Sequence, residues 1–172
     1  MSVKDLRYFG DPVLTSPSDP VTRFDKSLRA LVEDLLDTVR RPGRAGLAAP
    51  QIGVGLRAFS YNVDGKIGYV LNPEVVELSE QRQDGPEACL SVPGLGFPTE
   101  RAMYAVVRGV NVDNEPVEVS GEGLMARCLQ HETDHLNGML YLDRLDKATR
   151  RQALRQVRES DWFGVDTRVK HG

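Results

Sequence analysis

The sequence predicts an α+β fold: mostly antiparallel β-sheets packed around a central helix that carries His131-Glu132-Thr133-Asp134-His135, with one N-terminal helix and one C-terminal helix. Three observations predict it. Apolar residues recur at helical spacing in two separate stretches, before residue 40 and after residue 123, and a third helical stretch starts behind Asp146. Short strand-like segments, separated by glycine, proline and Asp/Asn, fill the interval between the first and second helix. The resulting order of helix, strands, helix, helix is that of an α+β chain with a mostly antiparallel sheet.

Each element has its own justification. Residues 1–24 read as extended and turn-rich, with Gly10-Asp11-Pro12, Pro17 and Pro20. Asp25 caps a first helix, along which Leu28, Leu31, Val32, Leu35, Leu36 and Val39 repeat. It stops at Arg41-Pro42-Gly43, because the residue before proline disfavours the α region. Arg57–Tyr61, Gly68–Leu71 and Val75–Leu78 read as strands. Asp84-Gly85-Pro86 and Pro93-Gly94-Leu95-Gly96 bracket a compact loop that carries Cys89. Tyr104–Val112 alternates as a strand, Asp113-Asn114-Glu115 turns, and Pro116–Val119 returns beside it. A second helix runs from about Gly123 to Asn137 with Gly138 behind it as a cap. Asp146 caps a third, from Lys147 to about Ser160.

The 172 residues read as one domain, residues 1–172, with 164–172 as a frayed tail. A formal net charge of −3 gives no global pull toward nucleic acid or membrane. No apolar run approaches the roughly 18 residues of a membrane span. The N-terminus, Met1-Ser2-Val3-Lys4-Asp5, lacks the apolar stretch of a secretory signal. Cys89 and Cys128 make no disulfide framework, and in a reducing cytoplasm they are thiols.

Two of the three histidines lie four residues apart around a glutamate. On a helix His131 and His135 share one face, where two imidazoles can grip one metal ion with Glu132 beside them to handle a proton. The helix also carries an apolar stripe of Leu124, Met125, Cys128 and Leu129, so the pair rides on a core helix. A third ligand is needed, and Cys89, Cys128 and distant carboxylates are candidates. Cys128 sits one turn too far back to reach easily and reads as a packed thiol. Three protein ligands leave a fourth position for water, which suits hydrolysis of an amide-like carbonyl with Glu132 taking and returning the proton. Gln51 alone reads as a locally satisfied loop amide.

The chain resembles bacterial peptide deformylase over nearly its whole length. The resemblance rests on Gly10-Asp11-Pro12-Val13-Leu14, on Gly46-Leu47-Ala48-Ala49-Pro50-Gln51, on Glu87-Ala88-Cys89-Leu90-Ser91, and on Gln130-His131-Glu132-Thr133-Asp134-His135-Leu136 with Asp143-Arg144 following. It implies removal of formate from the N-formyl-methionine of new chains. It implies Cys89, His131 and His135 as ligands of one divalent ion, natively ferrous iron, with zinc, nickel or cobalt as replacements. Glu132 becomes the acid/base, and Gln51 with the backbone N–H of Leu90 holds the developing oxyanion. Ala45, Leu124, Cys128 and the aliphatic part of Arg127 wall a methionine pocket, and backbone near Gly46 and Ala88 pairs with the peptide as an added strand. Asp134 is expected to pair with Arg101 and fix the loop-to-helix geometry.

Two positions depart from the family pattern: Arg44 and Ala88 stand where glycine is usual. Ala88 strains the Cys89 loop if that position needs a positive φ. Arg44 narrows the entrance, greets an acidic peptide, or is a solvated loop charge. A weakened paralogue is therefore one rival reading. Another is a small HExxH metallopeptidase, which would need a ligand after the helix, where only Asp143 is available. A catalytically silent metal-stabilised binding module is the third. On the last helix Lys147, Arg151, Arg155 and Arg158 form a basic stripe, read either as a solvated face or, by resemblance, as a docking surface for the ribosome near its exit tunnel.

Overall fold

The computed structural model describes residues 2–164. Its first element is α1 (Pro12–Thr15), a single turn where the sequence read as extended. The Asp11 carboxylate accepts from the Val13 N–H at 3.1 Å, and Pro12 at the first position has no N–H to leave unpaired. In α2 (Lys26–Val39), Asp25 accepts from the Leu28 N–H at 3.1 Å as the capping pattern predicts.

Among the described residues nine strands follow: β1 (Gly46–Ala48), β2 (Ala58–Val63), β3 (Lys66–Leu78), β4 (Arg82–Gln83), β5 (Pro86–Ala88), β6 (Gly96–Pro98), β7 (Arg101–Ala102), β8 (Tyr104–Val110) and β9 (Pro116–Glu122). Five make an antiparallel sheet in the order β1-β2-β3-β8-β9, and β4-β7 and β5-β6 form two small pairs. The two strands expected at 68–71 and 75–78 are one strand with irregular register against β8. Asn72 takes a φ of 50°, which asparagine tolerates. Its side chain bonds both the N–H and the C=O of Val21, at 2.8 and 3.0 Å, so the chain kinks without ending the strand.

Alternate residues of each strand face opposite ways. Leu47, Ala58 and Leu71 pack with α2, while Ala48, Phe59 and Val70 pack with α3 (Leu124–Leu136). Every residue of α3 from Met125 to Leu136 is buried, polar ones included, so His131 and His135 are not solvated side chains. Gly138 takes a φ of 77° and donates to the His135 carbonyl at 3.1 Å, closing the helix. The last helix, α4 (Lys147–Arg158), starts at Asp146 and ends two residues before the expected Ser160. Its Ala153 and Val157 pack into a third core beside Cys89, Phe97 and Tyr141. Of the expected tail only Gly164 falls within the described residues.

Candidate metal centre and active site

α3 sets His131 and His135 one turn apart, with ring centroids 4.9 Å from each other. Cys89 arrives from the other side of the fold, on the loop that follows β5. The β5-β6 pairing and a Val92 N–H to Cys89 C=O bond of 2.9 Å hold that loop. The Cys89 Sγ lies 3.3 Å from His135 Nε2, and one donor atom from each of Cys89, His131 and His135 lies within 4.8 Å of the others. Among the described residues this is the one such group.

The set fits a divalent ion. A sulfur at about 2.3 Å and a nitrogen at about 2.1 Å from one ion, at tetrahedral angles, lie about 3.6 Å apart. The donors are also immersed in negative charge. Burial alone would lower His131, yet Glu132, Cys89 and Glu87 hold it well above the ordinary histidine range, while burial and the His131 charge push His135 well below it. A site that drives a proton onto one of two adjacent imidazoles is a site that attracts a cation.

The rival ligands are occupied elsewhere. Cys128 contacts the Ala45 carbonyl at 3.4 Å, and burial, with Glu132 and Glu87, holds its thiol well above the usual range. Asp143 accepts from the Leu140 N–H at 3.0 Å and pairs with Arg150 at 3.2 Å.

Glu132 is buried with its Oε1 unpartnered and its Oε2 4.0 Å from His131 Nε2. Burial pushes its carboxyl up to about 7, against the lowering pull of His131. It reaches the site because position 46 is glycine: a Cβ there would stand 2.5 Å from Glu132 Oε2 and 2.8 Å from Cys128 Sγ. Gln51 sits in a 3-10 turn, Ala49–Ile52. Its Oε1 accepts from the Ala48 N–H at 2.9 Å, which leaves the amide nitrogen aimed at Ser91 Oγ, 3.1 Å away, and at Cys89 Sγ, 3.7 Å away.

Behind the metal group lies a set of ion pairs that centres on Glu87, a residue the sequence reading quoted without assigning a role. Its Oε2 meets His131 Nδ1 at 2.6 Å and Arg101 Nη2 at 2.6 Å; its Oε1 accepts from Arg127 Nη1 at 2.7 Å and Arg101 Nε at 3.0 Å. Burial would raise this carboxyl, but the bonds from His131 and Arg101 hold it well below the carboxylate range. The other end of Arg101 donates to Asp134 Oδ2 at 2.8 Å, and Arg144 bonds both oxygens of Asp134 at 3.0 and 2.8 Å. One signal pointed to Glu87: strand alternation puts it and Cys89 on the same side of their segment.

A cavity of about 660 Å³ opens onto these groups. Ala45, Gly46, Ala88, Leu90, Leu124 and Arg127 line it, with Cys128 and Gln51 deeper. Ala88 pairs with Gly96 in an ordinary strand and is absent from the positive-φ positions among the described residues, so the strain expected of it does not arise. Arg44 also lines the cavity, but its Nη1 donates to the Thr38 carbonyl at 2.9 Å in the last turn of α2. It is a helix-end cap at the entrance rather than a solvated charge.

The chain has close relatives of known family. Residues 3–151 match the polypeptide deformylase family model. A peptide deformylase of Acidothermus cellulolyticus is 54% identical over 170 residues, which is 99% of this chain and 94% of that one. One from a Parafrankia species is 52% identical over 163 residues, 94% of this chain and 89% of that one. A crystal structure of peptide deformylase from Legionella pneumophila superposes with a TM-score of 0.85 at 38% identity, covering 92% of this chain and 95% of that one. The chain belongs to the polypeptide deformylase family, metal-dependent hydrolases that take the formyl group off the N-terminal formyl-methionine of new polypeptides.

Proposed function

We propose that Cys89, His131 and His135 hold one divalent ion and that Glu132, Gln51 and Leu90 carry out deformylation beside it. The observation that carries this is a half-unpartnered buried carboxylate on the wall of a cavity that Cys89 and His131 also line, with the His135 donor converging on both. When bound, the ion would polarise the formyl oxygen and acidify a water. Glu132 takes a proton from the attacking water, then delivers it to the methionine nitrogen as the carbon–nitrogen bond breaks, releasing formate and a free amine. The Gln51 amide, fixed by Ala48, and the Leu90 N–H stabilise the oxygen that gains charge. Ser91 accepts the same amide hydrogen until substrate arrives.

Ala45, Gly46, Leu124, Arg127 and Cys128 form the methionine wall. Strand β1 is at the edge of its sheet, so the free side of its backbone pairs with an extended peptide, and Ala88 offers backbone from across the cavity. Arg101 and Asp134 hold His131 indirectly, through Glu87 and through the helix. Ferrous iron is the proposed native metal. Zinc, nickel and cobalt are replacements that an imidazole–thiolate set also accepts, and metal analysis of protein purified without oxygen reads which is carried.

The deciding assay is formate release from formyl-Met-Ala-Ser by metal-loaded enzyme. Glu132→Gln should keep the metal and lose up to about 10⁴-fold in turnover. Casein cleavage without formate release would favour the metallopeptidase reading, and metal binding without turnover the silent module.

The partner reading extends to the ribosome and hence to the cytoplasm. Lys147, Arg151, Arg155 and Arg158 are exposed on α4, opposite the buried Ala153 and Val157. No helix among the described residues is long and apolar enough to cross a membrane. Reversing Arg151 and Arg155 should abolish ribosome co-sedimentation at low salt while formate release continues.

A further inference from the structure

We propose that the turn after α4 backs the outer wall of the substrate cavity through Trp162, which positions Tyr8 and the Pro93–Leu95 bend as a shelf for apolar or aromatic side chains that follow the methionine. The inference rests on the deformylase reading of the site.

The metal end of the cavity is built by α3 and the Cys89 loop. Its wall also includes Leu6, Tyr8, Pro93, Gly94 and Leu95, none of which the chemistry requires. These residues come from two segments that have little regular structure to hold them. Each is tied down at one end. The Arg7 N–H donates to the Gln51 carbonyl at 2.7 Å, and the Phe9 N–H donates to the Ser91 carbonyl at 2.8 Å, so Tyr8 is held between a bond to Gln51 itself and a bond to the neighbour of Leu90.

Trp162 joins the two segments from outside. Its Nε1 donates to the Pro93 carbonyl at 3.0 Å, and its ring meets the Tyr8 ring edge-on with centroids 5.8 Å apart. Phe163 adds a second layer: it stacks on Phe9 at 6.3 Å and meets Trp162 edge-on at 6.2 Å. Trp162 itself packs against the core that contains Ala153 and Val157 of α4 and also Cys89. One aromatic side chain thus links the C-terminal helix, the N-terminal segment and the bend beyond Cys89. Aromatic pairs of this kind add geometric preference to simple burial.

The surface so presented is a phenol ring, a proline ring and leucine side chains, with Trp162 behind it. Such a surface recognises carbon-rich side chains. Tyr8 is the contact residue, and Trp162, which is absent from the cavity lining, is a positioning residue.

The test uses the metal-loaded full chain and two substrates, formyl-Met-Ala and formyl-Met-Leu-Phe. Removing the shelf should lower the ratio of kcat/KM for the longer over the shorter peptide by about fivefold in Trp162→Ala and in Tyr8→Ala, with the change in KM. Trp162→Phe keeps the packing, loses the bond to Pro93, and should lose about twofold. The double variant should fall little further than Tyr8→Ala, since Trp162 acts largely through Tyr8. If Trp162→Ala does not fold, Trp162→Phe against Tyr8→Ala decides. Equal losses on both peptides, or losses that multiply in the double variant, would overturn the proposal. Failure of the unaltered enzyme on formyl-Met-Ala would instead remove the deformylase reading beneath it.

Discussion

The two sides of α3 treat buried charge in opposite ways. On the cavity side, Glu132 Oε1 has no partner, and the donors of Cys89, His131 and His135 converge on a shared space. On the other side, in a network that reaches the cavity wall at Glu87 and Arg127, the oxygens of Glu87 and Asp134 are all bonded, to Arg101, Arg127, Arg144 and His131. A buried ion network of this kind contributes little net stability compared with apolar packing, yet breaking it is costly. Its value lies in geometry: it fixes the ring plane and the bonded nitrogen of His131. One carboxylate oxygen of Glu132 is left open beside the metal donors, whereas the carboxylate oxygens of the network are met where the frame must not move.

The contrast can be broken most directly by removing one charge from each side. Arg101→Ala leaves two buried carboxylates short of partners and should cost about 3–5 kcal/mol in urea denaturation. Glu132→Ala removes a buried carboxylate with one oxygen unpartnered and the other no nearer than 4.0 Å to His131 Nε2, so the metal-free protein should keep or gain stability while turnover disappears. Equal stability losses in the two variants would show that the sides do not differ.

Gly46 probes the cavity side alone. A methyl group at this position collides with Glu132 Oε2 and Cys128 Sγ. Gly46→Ala should lower kcat by about 100-fold through displacement of Glu132, at an overpacking cost of about 1–3 kcal/mol. Retained kcat would mean that the carboxylate has room that the packing denies it.

How much of this could be read beforehand followed the same division. The chemistry-bearing groups were legible because each is a rare residue type in a restrictive setting: two histidines at helical spacing, a cysteine in a glycine- and proline-rich loop. The fold class was legible from periodicity, and so were the caps at Asp25 and Asp146. The network was only half legible. Arg101 and Asp134 were paired in advance, but Glu87 and Arg144 were not, because a carboxylate in a short strand looks like any exposed acid until its partners are in place. Asn72-Pro73 reads as a break, so the sequence predicts two strands where β3 is one, and the contact of Asn72 with Val21, far away in sequence, keeps it whole. Arg44 and Ala88 looked like liabilities for a similar reason. A helix-end carbonyl at Thr38 and a partner strand at Gly96 are tertiary facts.

pH should separate the two sides by the sign of the slope. The Glu87 carboxyl is depressed in the folded protein, so its contribution is full above the ordinary carboxylate range and is lost as pH falls through that range toward the folded value. The Glu132 carboxyl is raised to about 7, so its contribution is full below the ordinary range and is lost as pH rises toward 7. Metal-free protein should therefore lose stability in acid below about pH 4, where ordinary carboxylates titrate, and also between about pH 4 and 7. Urea midpoints taken from pH 3 to 8 on the unaltered protein and on Glu132→Gln resolve the two. The variant should lose the upper slope and keep the lower one.

The smallest effect sharpens the comparison within the network itself. Asp134 is shared by two arginines, and they differ in solvent access: the Arg101 side chain is 3% exposed and that of Arg144 is 47% exposed. Water can replace Arg144 where it cannot replace Arg101. Arg144→Gln should therefore cost about 1 kcal/mol or less despite the loss of two bonds, with metal content unchanged, whereas Arg101→Ala should lower metal content along with stability. If the two substitutions cost the same, Asp134 depends on the charge of its partners rather than on their burial. The frame behind the metal helix would then extend to the protein surface.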